Sequence, residues 1–159
     1  MPLIYHTKES NSVFEENIFK VLKNDNIKIT CPYVNLDIFK SWVGSKNNWK
    51  FITDLDELLS GLGNNMARIK FLDFYKNNIA NIRHIPNLHA KCVISSKNIL
   101  FGSANFTETG LTKRTEISYY AENKDEVEEL NNWFDDNWNQ AGSGSYIDEV
   151  EVKINKLNI

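Results

Sequence analysis

"HAKCVISSKNILFGSANFTETGLTKRTEIS", residues 89–118, carries two kinds of signal in one segment. Its apolar residues read as paired strands. Ala90 to Ile94 and Ile99 to Phe101 are separated by the polar "SSKN", which is hairpin spacing. Its polar residues gather where those strands begin and end. His89 and Lys91 open the first run, Gly102-Ser103-Ala104-Asn105 follows the second, and Glu116 begins a further strand-like run to Ala121. Side chains alternate along a strand, so His89 and Lys91 project from one face. The returning strand brings a hydroxyl, an amide and free backbone N–H groups beside them, and Glu116 can pair with the imidazole or with Lys91. An imidazole, a cation, neutral donors and a carboxylate together form a site suited to a phosphate ester, with no need of a metal.

Outward from this stretch, helical and extended patterns alternate. Ser12-Val13-Phe14-Glu15 has the form of a capping box, and Phe14, Ile18, Val21 and Leu22 continue at helical spacing to about Asn24. "IKITCPYV" (27–34) reads as a short buried strand closed by Pro32, Leu36 to Val43 as a brief helix, and "KFIT" (50–53) as a strand. Leu55, Leu58, Leu59 and Leu62 predict one helix, and Met66, Ile69, Leu72 and Tyr75 another that stops at Asn77-Asn78. "IANIRHI" (79–85) is expected to be a strand, followed by a turn at Pro86-Asn87. Val127, Leu130, Phe134 and Trp138 mark an amphipathic helix to about Gln140; Trp133, Phe134 and Trp138 read as core and interface packing. The fold class predicted is α/β, a mixed sheet layered between helices. The domain should span residues 1–140. The remainder, 141–159, is a Gly/Ser loop and a tail that fits strand and helix periods equally well.

Composition narrows the function. The 42% apolar and 25% charged residues of this 159-residue chain are those of an ordinary globular domain. No apolar run approaches the ~20 residues that span a bilayer, and no signal-peptide pattern follows Met1, so a cytoplasmic protein with no membrane partner is expected. The 2 cysteines, Cys31 and Cys92, sit in strand-like runs without metal-ligand spacing and read as buried free thiols. A formal charge of −3 means that any nucleic-acid contact needs a local basic patch; Lys113-Arg114, between Asn105 and Glu116, is the candidate for a phosphate-backbone contact.

His89-x-Lys91, Gly102-Ser103-Ala104-Asn105-Phe106 and Glu116 resemble the His-Lys-Asp signature of the phospholipase D superfamily. The spacing is most similar to its small single-motif bacterial endonucleases and to the nuclease domains of metal-independent restriction enzymes. The resemblance extends from "IKITCPYV" to the helix ending "NNWFDDNWNQ" (131–140). It departs at one place: Ser96 stands where the signature has an aspartate, and one residue fewer precedes the Gly-Ser. That aspartate supports structure more than chemistry in the family pattern, so its loss does not by itself predict inactivity.

The resemblance implies a phospholipase D-like half-unit that dimerises, without cofactor or metal. His89 would attack phosphorus and form a phosphohistidine, Lys91 and Asn105 would hold the nonbridging oxygens, and Ser103 would add a hydrogen bond, with Glu116 in the same set. A second imidazole must protonate the leaving oxygen. Neither His6 nor His84 has the motif around it, so a homodimer joining two His89 side chains is implied. The expected activity is a metal-independent phosphodiesterase acting on DNA, with RNA as a second substrate. The alternatives are a phospholipid hydrolase or transphosphatidylase, and a catalytically silent binding or dimerisation module.

Overall fold

The computed structural model describes residues 3–10 and 12–141. The tail from 142 on and the cap position before Ser12 lie outside the described residues. Seven strands form one sheet: β1 (Leu3–His6), β2 (Ile27–Thr30), β3 (Trp49–Thr53), β4 (Ile82–His84), β5 (Cys92–Ile94), β6 (Ile99–Gly102) and β7 (Glu116–Ala121). The helices are α1 (Ser12–Leu22), α2 (Leu36–Val43), α3 (Leu55–Gly61), α4 (Asn65–Asn77), α5 (Glu108–Thr112) and α6 (Lys124–Gln140). The spatial order is β1-β7-β6-β5-β2-β3-β4, with β2, β3 and β4 mutually parallel and every other pair antiparallel. The sheet is therefore mixed, as its pattern predicted.

Several elements differ from the sequence reading, among them β2, which ends at Thr30, short of Pro32. β1 has no counterpart in the sequence reading, because four residues give too little periodicity to register. The 79–85 segment opens as a 3-10 turn (Ile79–Asn81), and only Ile82–His84 joins the sheet. The segment before Lys113 contains α5, started by Thr107, whose hydroxyl accepts the Gly110 N–H at 3.1 Å.

Three of the chain's asparagines start helices. Asn35, Asn64 and Asn123 sit at the N-caps of α2, α4 and α6, each side-chain oxygen accepting backbone N–H groups of the first turn. Such a cap is worth about 1 kcal/mol relative to alanine.

The two sheet faces are covered unequally. On one, Ile4, Ile27, Ile29, Phe51, Val93 and Leu100 pack against α1 to α4 in the main core. On the other, Ile52, Cys92, Ile94, Ile99 and Ala121 pack against α6 through Val127, Phe134 and Trp138. A single helix cannot cover seven strands ~4.8 Å apart. Its shadow ends at β6, β7 and β1, where Leu3, Tyr5, Phe101 and Ile117 stay 43%, 62%, 41% and 45% exposed. The registers Leu3↔Tyr119↔Phe101 and Tyr5↔Ile117 put these residues on the same face.

Candidate active site

The topology collects strand ends. Because β2, β3 and β4 are parallel and their partners run the other way, one edge of the sheet receives the ends of β2, β3, β4, β6 and β1 and the starts of β5 and β7. Thr30 lies opposite Cys92, Gly102 opposite Ser118, and His6 opposite Glu116. His89, Lys91, Ser103, Asn105 and Glu116 are thereby delivered to one rim by three different strands.

His89 and Lys91 precede the ladder instead of lying in it, which corrects the strand placement read from alternation: β5 begins at Cys92. The Gly102 N–H still donates to the Lys91 carbonyl at 3.1 Å, so Lys91 is anchored at the strand's mouth. His89 is exposed, whereas Lys91 is buried to 9% exposure. The Lys91 ammonium lies 3.1 Å from His89 Nδ1 and donates to the His89 carbonyl at 3.1 Å. An ammonium has only protons to give, so Nδ1 accepts, and a neutral ring then carries its proton on Nε2.

Glycine makes the approach of β6 to β7 possible. A Cβ on Gly102 would lie 2.3 Å from the Ile117 carbonyl oxygen and 2.7 Å from Ser118 Cα. Just beyond, the Ser103 hydroxyl accepts the Ile117 N–H at 3.1 Å and donates to the Glu116 carboxylate. Glu116 is thus engaged with Ser103, and not with His89 or Lys91 as the sequence allowed. β6 is the immediate neighbour of β7, and β5 lies one strand further away. Asn105, half-buried, follows; the Cys31 thiol at the end of β2 points to its Oδ1 at 3.7 Å. Desolvation by burial raises the Cys31 pKa to about 12, so it stays a thiol, and its single proton has the Tyr33 carbonyl at 3.2 Å as a nearer acceptor.

Lys113 and Arg114 are exposed in the turn between α5 and β7, and Lys113 Nζ is 3.8 Å from Glu108. They flank the site without joining it. His6 and His84 are both buried. His6 is 0% exposed, stacked on Phe14 at 4.2 Å between ring centroids, with Nε2 donating to the Gly110 carbonyl. His84 is 9% exposed and accepts the Leu55 N–H at Nδ1. Cys31 and Cys92 are buried free thiols, as expected.

The family profile described as "Cardiolipin synthase, PLD-like domain" matches residues 23–138, from the turn before β2 to the last turn of α6. The chain belongs to the phospholipase D-like family. Its kind of chemistry is accordingly that of a phospholipase D-superfamily phosphodiesterase. Solved structures bear out the phospholipase D-like fold. NucT from Helicobacter pylori is 17% identical with a TM-score of 0.69, covering 89% of this chain and 96% of that one. Nuc from Salmonella typhimurium, a phospholipase D family member, is 22% identical with a TM-score of 0.66, covering 89% and 95%. TrmBL2, an archaeal chromatin protein, is 14% identical with a TM-score of 0.56, covering 90% of this chain and 54% of that one. A comparison with curated proteins gives no match. Within the phospholipase D-like pattern, Ser96 is exposed in the hairpin turn, and the turn is held by residues the sequence reading did not single out. The Ser95 hydroxyl accepts the N–H of Asn98 and donates to Asn98 Oδ1 at 2.6 Å.

Proposed function

We propose that the protein is a metal-independent phosphodiesterase that cleaves DNA through a phosphohistidine on His89, in an active site shared by two copies. The observation that carries this reading is the rim itself: His89 is exposed there beside the buried Lys91 and the half-buried Asn105, whereas His6 and His84, at strand ends on the same edge, are buried in packing. When Lys91 moves onto a phosphate oxygen, the Nδ1 lone pair it covered is released. The ring can then change tautomer and present a lone pair to phosphorus. Attack forms the N–P bond and breaks the P–O bond to the leaving group, whose oxygen takes a proton from the second His89. That same imidazole then draws a proton from water, which hydrolyses the phosphohistidine and returns His89 free. Lys91 and the Asn105 amide carry the charge on the nonbridging oxygens, which a metal ion carries in other phosphodiesterases.

The second copy has a place to sit. Leu3, Tyr5, Phe101 and Ile117 form an uncovered apolar face that continues into a hollow of about 720 Å³ lined by His89, Lys91, Phe101, Tyr119 and Trp133. A partner seated there buries this face and brings its own His89 to the same rim. DNA as substrate is supported by the resemblance of the motif to single-motif endonucleases and by the fold shared with a DNA-binding chromatin protein. In this reading Lys113 and Arg114, exposed between α5 and β7, hold the DNA backbone beside the scissile phosphate.

The phospholipid alternative has one observation in its favour, since the hollow beside His89 has an apolar wall of Ile99, Phe101, Leu130 and Trp133 that could take an acyl chain, although Glu126 and Glu129 also line it. Incubation of the protein with plasmid and single-stranded DNA, and with phosphatidylglycerol vesicles, in excess chelator separates the readings. DNA cleavage that survives chelator and disappears in His89→Ala supports the nuclease. Release of the lipid headgroup without DNA cleavage replaces it with the lipid enzyme. Activity lost with chelator and restored by Mg²⁺ overturns the metal-independent mechanism.

A further inference from the structure

The segment that carries the nucleophile has little ladder of its own. After β4 the chain turns at Asn87, with φ 63°, and runs to His89 and Lys91 before pairing resumes at Cys92. Two buried side chains from neighbouring strand ends grip it. Asp54, 4% exposed at the end of β3, divides its carboxylate. Oδ1 accepts the N–H groups of Asp56 at 3.0 Å and Glu57 at 3.3 Å, capping α3, and Oδ2 accepts the Asn87 N–H at 2.8 Å. Thr30, 0% exposed at the end of β2, donates its hydroxyl to the Ala90 carbonyl at 3.0 Å. His89 is thus flanked by one clamp two residues before it and another one residue after it.

Asp54, Asp56 and His84 also bring three ligand atoms within 4.8 Å of one another, the spacing of a metal site. The donor chemistry does not suit one. A histidine bound to metal through Nε2 keeps its proton on Nδ1 and gives it to an acceptor. Here His84 Nδ1 instead receives the Leu55 N–H at 2.9 Å, so metal at Nε2 would set two donors against each other. The cluster acts as a strut.

We propose that Asp54 is a positioning residue for His89, with Thr30 as its second anchor: the Asp54 carboxylate sets the point at which the nucleophile segment leaves the Asn87 turn. Its catalytic consequence rests on the phosphodiesterase reading; the clamp itself does not. In-line attack is intolerant of misplacement, ~1 Å costing about 10²-fold.

Asp54→Ser keeps an oxygen able to cap α3 but is too short to reach Asn87. Amide hydrogen exchange should then accelerate about tenfold or more at Asn87 while the α3 cap amides of Asp56 and Glu57 stay protected. With a DNA phosphodiester substrate, kcat should fall about 10- to 100-fold with KM within about threefold. Thr30→Val should lower kcat in the same way and Thr30→Ser should restore it, while Asn87→Gly, which keeps the N–H and suits a positive φ, should match wild type. Unchanged exchange at Asn87 in Asp54→Ser overturns the clamp, and so does wild-type kcat in both Asp54→Ser and Thr30→Val. If the wild-type protein cleaves no phosphodiester, the functional reading fails while the exchange comparison still decides the clamp.

Discussion

At the scale of single residues the site sets a charge problem and solves it with one lysine. Lys91 is almost out of water, so its ammonium is paired with the His89 carbonyl and ring; in the proposed reaction a phosphate offers it better acceptors. His89→Ala and Lys91→Ala are each expected to remove most cleavage, whereas Ser103→Ala and Asn105→Ala should cost about 10²–10³-fold, as for other oxyanion donors. Steady-state rates on one DNA substrate rank the four; a His89→Ala protein with near wild-type rate, or failure to trap an acid-labile phosphoprotein, would remove His89 from its role. The thiols give a separate residue-scale test. Burial raises Cys31 to about 12 and Cys92 to about 11, from an ordinary value of 9.0. Above pH 9 the unfolded chain loses these protons while the folded chain keeps them. Their contribution to stability is therefore full below pH 9 and lost as pH rises from 9 through 11 to 12. Native protein at pH 8 should react negligibly with a thiol reagent and unfolded protein at both cysteines. Fast native labelling would contradict the burial.

At the scale of elements, the β5–β6 hairpin depends on Asn98 where the family pattern would use an aspartate at the position of Ser96. Asn98 Oδ1 accepts from Ser95 and from Asn24 at 2.9 Å, and its Nδ2 donates to the Lys20 carbonyl at 3.1 Å and to Tyr120 at 3.0 Å. The turn is thereby tied to α1 and β7 together. Asn98→Ala removes these side-chain bonds from a largely buried turn and should cost about 1–3 kcal/mol. Ser96→Asp touches an exposed position and should change stability by less than ~0.5 kcal/mol. Urea unfolding of the two variants tests this directly; equal effects would mean that the turn is not organised around Asn98. Gly110 belongs to the same logic, since a Cβ there would lie 2.2 Å from the Asn105 carbonyl oxygen, the backbone that carries the site amide.

At the scale of the whole molecule, the uneven covering of the sheet is the strongest argument for assembly. Five helices lie on the described chain apart from α6, yet α6 alone screens the face with Leu3, Tyr5, Phe101 and Ile117 at its open side. A permanent dimer interface should exceed ~1,000 Å² in total. Tyr5→Lys combined with Phe101→Glu should give a folded monomer by sedimentation and abolish cleavage, although neither side chain performs chemistry. Mixing two inactive variants of His89 should restore nothing, and heterodimers with wild type should be impaired. A monomer that retains full cleavage at nanomolar concentration would defeat the shared site.

The hairpin, α2 at Leu36–Val43, α6 and the residues of the rim were legible in the sequence because each is written in local terms: alternation, helical period, or a motif whose members lie close along the chain. The tertiary structure decided the rest. β1 exists because β7 offers it a partner, not because four residues prefer to be extended. Glu116 binds Ser103 because β6 and β7 are neighbours, an order no local pattern encodes. His6 became a packing group once β1 carried it under Phe14. Asp54 and Thr30 met the segment around His89 only because parallel strands end on the edge where β5 starts. A sequence states which groups are present and how neighbours along the chain are oriented; contacts between residues tens of positions apart are fixed by which strands pair, and that is settled by burying the two faces of the sheet at once.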